Sequence, residues 1–234
     1  MFFDPLYFLF IAPAVILALW AQSRIHAAYS EAQQQPASLS GAAAARHILD
    51  GAGLQHVEVE MIPGQLTDHY DARAKVLRLS EDVYQSRSLA AVGIAAHESG
   101  HALQDAANYA PLEIRNGIVP LANIGSGLGM ILIMLGAALS FSAGAAVLGH
   151  WAIYAGIAAF SVTVFFQLVN LPVEFDASNR AKAVLVDLGI VPHEEMVYVN
   201  KVLNAAALTY VAATLQAIMT LLYFIVRFAG NSRR

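Results

Sequence analysis

Ile94-Ala95-Ala96-His97-Glu98-Ser99-Gly100-His101 sets two histidines four residues apart in an alanine-rich setting. On a helix, residues at that spacing share one face, so both imidazoles can reach a single metal ion. Glu98 then stands one position round, beside the metal rather than on it. From there it can take a proton from a water whose pKa zinc lowers towards 7, and later pass it to a leaving amine. Ile94, Ala95 and Ala96 are small or apolar, which allows the helix to be buried and the site to be dry. The bland alternative is an exposed helix that carries two histidines and a glutamate by coincidence.

Working outward, the helix is predicted over Leu89 to Ala107, inside a polar segment of residues 23–116. Ser40 reads as the N-cap of an earlier Ala-rich helix that ends near Asp50-Gly51. His56 to Ile62 alternates as a strand does, and Lys75 to Leu79 is its candidate partner. Gly64 and Asp71-Ala72-Arg73 supply turns, and Gln33-Gln34-Gln35-Pro36 reads as a linker. A second polar segment, residues 172–204, reads as two helices separated by Gly189 and Pro192.

The remainder is far more apolar. Charged residues are 13% and apolar residues 58% of the chain, against roughly 25% charge in soluble domains; the mean hydropathy is +0.55. Four stretches are long enough to cross about 30 Å of hydrocarbon as helices. They are Leu6 to Ala21, Gly117 to Phe141, Val147 to Leu171, and Ala205 to Phe228. The first carries Pro13 and lacks the basic region and cleavage site of a signal peptide, so it reads as an uncleaved anchor with Trp20 at its interface. The second and third form a hairpin. The predicted organisation is an anchor (residues 1–22), a catalytic segment (23–116), a two-span hairpin (117–171), a helical segment (172–204), and a fourth span with its tail (205–234).

Counting spans alternately puts both polar segments on one side. Ten of the thirteen Lys/Arg lie there, including Arg24, Arg115, Arg180 and Lys182 near span ends. The positive-inside rule then predicts a multi-pass protein with its catalytic part in the cytoplasm, although Arg233 and Arg234 argue the other way. The net charge of −4 has no basic run within it, so no nucleic-acid partner is expected. With no cysteine in the chain, disulfides, thiolate metal sites and cysteine nucleophiles are excluded.

Two histidines leave a catalytic zinc one protein ligand short of three plus water. Glu174 is the best candidate. On a helix it shares a stripe with Ala177, Ser178 and Ala181, continued by Val184, Leu185 and Leu188, the face expected to be buried. A carboxylate on a buried stripe needs a cation, and zinc supplies one. Asp176 falls on another face, four before Arg180, and reads more simply as a surface ion pair. Glu174 could instead be a membrane-edge acid paired with Arg180 or Lys182. It lies only a few residues past the third span, roughly 5 Å of helical rise, so the site is expected at the membrane surface.

His97-Glu98-Ser99-Gly100-His101, Glu174-Phe175-Asp176-Ala177-Ser178 and the four spans resemble the YugP-type neutral zinc metallopeptidases, bacterial membrane proteases. The similarity extends to Asp68-His69-Tyr70-Asp71, Asn123-Ile124-Gly125-Ser126 and Ala207-Leu208-Thr209-Tyr210-Val211. The two-part motif is also similar to that of HtpX-type and prenyl-peptide membrane proteases. There a Glu beyond a transmembrane hairpin is the third zinc ligand, which implies that role for Glu174. Those proteins usually carry an Asp four residues past that Glu, where this chain has Ser178.

The reading is therefore a mainly α, four-span bundle carrying a small α+β zincin-like (gluzincin) domain. Its expected activity is hydrolysis of membrane or membrane-proximal polypeptides. One catalytic zinc would be held by His97, His101 and Glu174, with Glu98 as general base and acid. The resemblance implies a bacterial plasma membrane. A regulatory membrane partner or a homo-oligomer is left open. The rival is an inactive zinc-binding scaffold or adaptor, against which Glu98 counts, since a structural site needs no base. A transporter would want charges at mid-membrane, and the spans have almost none. His69 could orient substrate or sit in a turn. His150 and His193 are not expected to reach the metal. His26, His47 and His56 have no partner pattern. Interhelical hydrogen bonds are expected to satisfy Asn123, Ser126, Thr209 and Tyr210.

Overall fold

The computed structural model describes residues 4–142 and 144–229; Arg233 and Arg234 lie outside them. In chain order these residues form α1 (Pro5–Gln33), α2 (Gly41–Gly51), β1 (Glu58–Ile62), β2 (His69–Asp71), β3 (Val76–Ser80), α3 (Glu81–Gln85), α4 (Leu89–Ala106), α5 (Ala110–Leu139), α6 (Ala146–Asp187) and α7 (Met196–Phe224). The architecture is mainly helical with one small sheet. Among the described residues four helices are long and apolar enough to cross a membrane: Pro5–Gln33, Ala110–Leu139, Ala146–Asp187 and Met196–Phe228; the last ends in a π-helical turn assigned over Ile225–Ala229.

The apolar stretches do not stop where the sequence suggested. α6 runs unbroken through Pro172, where the sequence alone predicts the start of a separate segment. A proline costs a helix one hydrogen bond and a clash, but long apolar helices tolerate it because their neighbours re-satisfy the freed backbone groups. The break at Gly189 and Pro192 is real: Gly189 takes φ +62, a value glycine adopts without steric cost. The two helices either side of it are the continuations of the third and fourth apolar stretches.

The contacts divide the chain into two units. Unit 1 holds the described residues of 1–19, 114–171 and 210–234. Its outward faces carry Leu121, Ile124, Leu128, Ile131, Trp151 and Phe165, all exposed. Thr163 donates to the Ala122 carbonyl at 3.3 Å and Thr214 to Gln167 at 3.4 Å. Ser126, expected to bond across helices, donates to its own helix at the Asn123 carbonyl.

Unit 2 comprises Trp20–Glu113 and Pro172–Thr209. Thr209 lies at its edge and donates to its own helix at Ala206, again not across helices. The sheet has the order β1-β3-β2. β1 and β3 pair as expected, but in parallel, from Glu58 opposite Val76 to Ile62 opposite Ser80. β2, not foreseen as a strand, takes the antiparallel position on the other edge of β3. The turn between them is held by Asp71, whose Oδ1 accepts from the Arg73 and Ala74 amides at 3.0 Å. With the tight hairpin occupied by β2, β1 is left the parallel edge.

α4 is the centre of unit 2. Leu89, Val92 and Ala96 pack with Ile48, Ala181, Leu185 and Val199. Ala91, Ala95 and Ala102 pack with Leu49, Leu77, Leu79 and Val83. Ala90 meets Ala28, Ala32 and Val202. A helix enclosed on several sides has room for little beyond alanine, which accounts for its composition.

Candidate metal centre

α4 begins at Ser88, whose hydroxyl accepts from the Ala91 amide at 3.2 Å, an N-cap that satisfies one orphan donor of the first turn. Two and three turns on, His97 and His101 emerge on one face with ring centroids 4.9 Å apart. The segment of α6 beyond the apolar stretch approaches this face. Val173, Ala177, Ala181 and Leu185 are fully buried there, and Glu174 and Ser178 are 4% and 5% exposed. The stripe read from the sequence is present over these turns, but Val184 is only partly buried and Leu188, past the helix end, is exposed.

Gly100 permits the approach. A methyl group there would lie 2.5 Å from the Ala177 carbonyl oxygen, below any contact a side chain makes. The two helices therefore approach backbone to backbone one residue before His101 and three residues after Glu174. Glu174 Oε2 lies 3.2 Å from His97 Nε2 and 3.7 Å from His101 Nε2. One donor atom from each of the three residues falls within 4.8 Å of the others. Burial alone would push the Glu174 carboxyl up, but the hydrogen bonds from His101 and His97 outweigh it and hold the group well below the usual carboxylate range.

The far nitrogens of both rings are also engaged. His97 Nδ1 lies 3.1 Å from Ser178 Oγ, four residues past Glu174. His101 Nδ1 lies 2.9 Å from Gln104 Oε1. Gln104 Nε2 in turn donates to the Val173 carbonyl at 2.8 Å and to Asp176 Oδ2 at 2.9 Å. Arg180 Nε donates to the same Asp176 oxygen at 2.6 Å. Asp176 and Arg180 thus form the expected ion pair, but Asp176 is more than a surface partner because it also receives the buried Gln104 amide. Gln104 escaped the sequence reading. Its signal was its place three residues after His101, on the same helix face.

Glu98 is half-buried on α4 beside the cluster residues in sequence. Arg180 and Lys182, the rival partners of Glu174, bond Asp176 and Asn204. His69 is exposed on β2 and its Nδ1 lies 2.8 Å from the Thr67 carbonyl, a local contact. Its neighbour Tyr70 donates to Asp105 at 2.6 Å, and burial together with that acceptor pushes the phenol up. His150 bonds Ala146 within its own helix. His193 lines a separate cleft of about 420 Å³ with Arg24, Asn200 and Lys201.

Zinc suits the donor set that the three residues present. Two imidazoles turn one nitrogen each towards a single buried carboxylate, and their other nitrogens already have partners. Two imidazoles and one carboxylate are a donor set that zinc accepts.

A family profile described as "Putative neutral zinc metallopeptidase" matches residues 7–229. The chain is 45% identical over 228 residues to "Putative membrane protease YugP" of Bacillus subtilis (strain 168), covering 96% of this chain and 97% of the relative. No solved structure matches.

Proposed function

The chain belongs to the family of putative neutral zinc metallopeptidases, and from that premise we propose that it is a membrane-embedded, zinc-dependent endopeptidase. The observation that carries the reading is the convergence of His97, His101 and Glu174, two from the H-E-x-x-H helix and one from a different helix. His97, His101 and Glu174 hold the metal, and Glu98 is the general base and acid. Residues 23–116 and 172–204 make a zincin-like catalytic part, carried by the spans within 1–22, 117–171 and 205–234. This part faces the cytoplasm of a bacterial plasma membrane, as the ten-to-three distribution of Lys/Arg favours.

Bound there, zinc would polarise the scissile carbonyl and lower the pKa of the attacking water. Glu98 accepts the proton of that water and delivers it to the leaving amine, a task that asks for a carboxylate near the metal but not on it. Ser178 and Gln104 hold the two imidazole rings in place through their Nδ1 atoms. Glu174 follows directly on an apolar helical stretch, so the substrates are membrane proteins, their cytoplasmic loops, or polypeptides presented at the bilayer.

Glu98→Gln tests the reading. The purified variant keeps zinc near stoichiometric, because the residue is not a ligand, and loses turnover of a membrane substrate by roughly 10²–10⁴-fold. A variant that cleaves at the wild-type rate, or a wild type that binds zinc and cleaves nothing, returns the protein to the scaffold reading.

A further inference from the structure

Gln104 is completely buried and uses both ends of its amide. Nε2 faces the Val173 carbonyl and the Asp176 carboxylate, groups that can only accept. Arg180, paired to Asp176 at 2.6 Å, keeps that carboxylate an acceptor. The two ends of an amide are ordinarily hard to tell apart, but here the neighbours settle them: nitrogen must point at Val173 and Asp176. Oxygen is then left facing His101 Nδ1, so Nδ1 must carry the hydrogen. Nε2, the atom turned towards Glu174, is then the ring nitrogen left for a metal, which would displace any hydrogen that Nε2 lends to Glu174. His97 has no such constraint, because the Ser178 hydroxyl beside its Nδ1 can donate or accept.

We infer that Gln104 is the positioning residue of the metal centre, holding the hydrogen of His101 Nδ1 so that Nε2 is the ring nitrogen offered to a metal. It also ties α4 to the Val173 carbonyl, part of the peptide group that leads into Glu174, so one side chain aligns the second ligand with the third. The asymmetry follows: His101 is pre-set by a rigid, buried amide, whereas His97 is held by a rotatable hydroxyl. This inference rests on the zinc-site reading above.

The test reads the ring nitrogens directly. Protein labelled with 15N-histidine is examined by NMR in micelles, zinc-free and zinc-loaded, with the His101 signals identified by their loss in His101→Asn. Nδ1 of His101 carries hydrogen in both states, and zinc perturbs Nε2. A hydrogen-free or zinc-bound Nδ1 overturns the inference. Gln104→Met, close in volume but unable to hydrogen-bond the ring, lowers zinc affinity by about 10–100-fold in competition with a chelator, and its zinc-free His101 ring populates both tautomers. Ser178→Ala changes affinity by less. A folded Gln104→Met that binds zinc as tightly as wild type also overturns it, and if that variant does not fold, the wild-type spectrum still decides. Should wild type hold no zinc at all, the functional reading fails, and the tautomer of the zinc-free ring tests Gln104 separately.

Discussion

The α5–α6 pair of unit 1 and the α4–α6 contact of unit 2 use glycine in the same way for different ends. Along α5 and α6 the close approaches repeat. A methyl on Gly156 would lie 2.7 Å from the Gly129 carbonyl, one on Gly149 2.7 Å from Gly136, and one on Gly125 2.7 Å from Ala159. Small residues at such positions let helices gain dispersion contacts where burying apolar surface offers no driving force, and the gain is spread over many turns. Between α4 and α6 a single approach, Gly100 on the Ala177 carbonyl, lies among the candidate ligands. There a few tenths of an ångström change the distance between donor atoms, so packing becomes chemistry.

Substitutions can break or sharpen that contrast, and the largest effect belongs to the carboxylate. Glu174→Ala should weaken zinc binding by more than the roughly 10–100-fold of an outer contact and abolish proteolysis. Glu174→Gln should be nearly as damaging, since a neutral amide is a poorer ligand than a carboxylate. Metal content after gel filtration checks both, and a Glu174→Ala protein that retains stoichiometric zinc removes the third ligand from the scheme.

Gly100→Ala comes next. The added methyl cannot be accommodated without moving backbone, so stability should fall by about 1–3 kcal/mol and zinc affinity by on the order of tenfold. Gly93→Ala on the same helix is the control. The atoms nearest its methyl would be those of the Val199 side chain, at 3.2 Å, so a shift of a few tenths of an ångström in a side chain, not in backbone, is asked for. Equal zinc affinities for the two variants would show that backbone contact at Gly100 does not set the site.

Gly156→Ala in unit 1 should cost a similar amount of stability, about 1–3 kcal/mol by overpacking, read as a lower thermal midpoint. Its zinc affinity should stay within about twofold of wild type, as expected if the glycine stripe serves packing alone. A matching fall in zinc affinity would mean the two approaches are not separable. The smallest effect is expected from Asp176→Asn. Asparagine can still accept from Gln104, and what is lost is a partly exposed pair with Arg180, a class of interaction measured at about 0–1 kcal/mol and screened by salt. Loss of zinc from this variant with Glu174→Ala unaffected would turn the helix the other way.

Much of the fold could be read from local pattern. The apolar runs marked the four long helices, Ser40 caps α2 as its sequence position suggests, and Gly189 with Pro192 marks the break between α6 and α7. The H-E-x-x-H spacing and the buried stripe through Ala177 and Ala181 singled out the three residues that come together. Helix periodicity and capping depend on neighbours a few positions away, and those neighbours are written next to each other.

By itself, then, the sequence determined which stretches are helical and apolar, which face of α4 carries two imidazoles, and which side of α6 is buried. Only the tertiary structure decided that β1 joins β3 in parallel, that α6 continues through Pro172, that Gly100 rests on Ala177, and that Ser178 and Gln104 hold the two rings. Each of these is a contact between residues far apart in the chain or a helix kept intact by its surroundings. Local propensity carries no record of the partner, because the energy that selects it exists only once the helices have met.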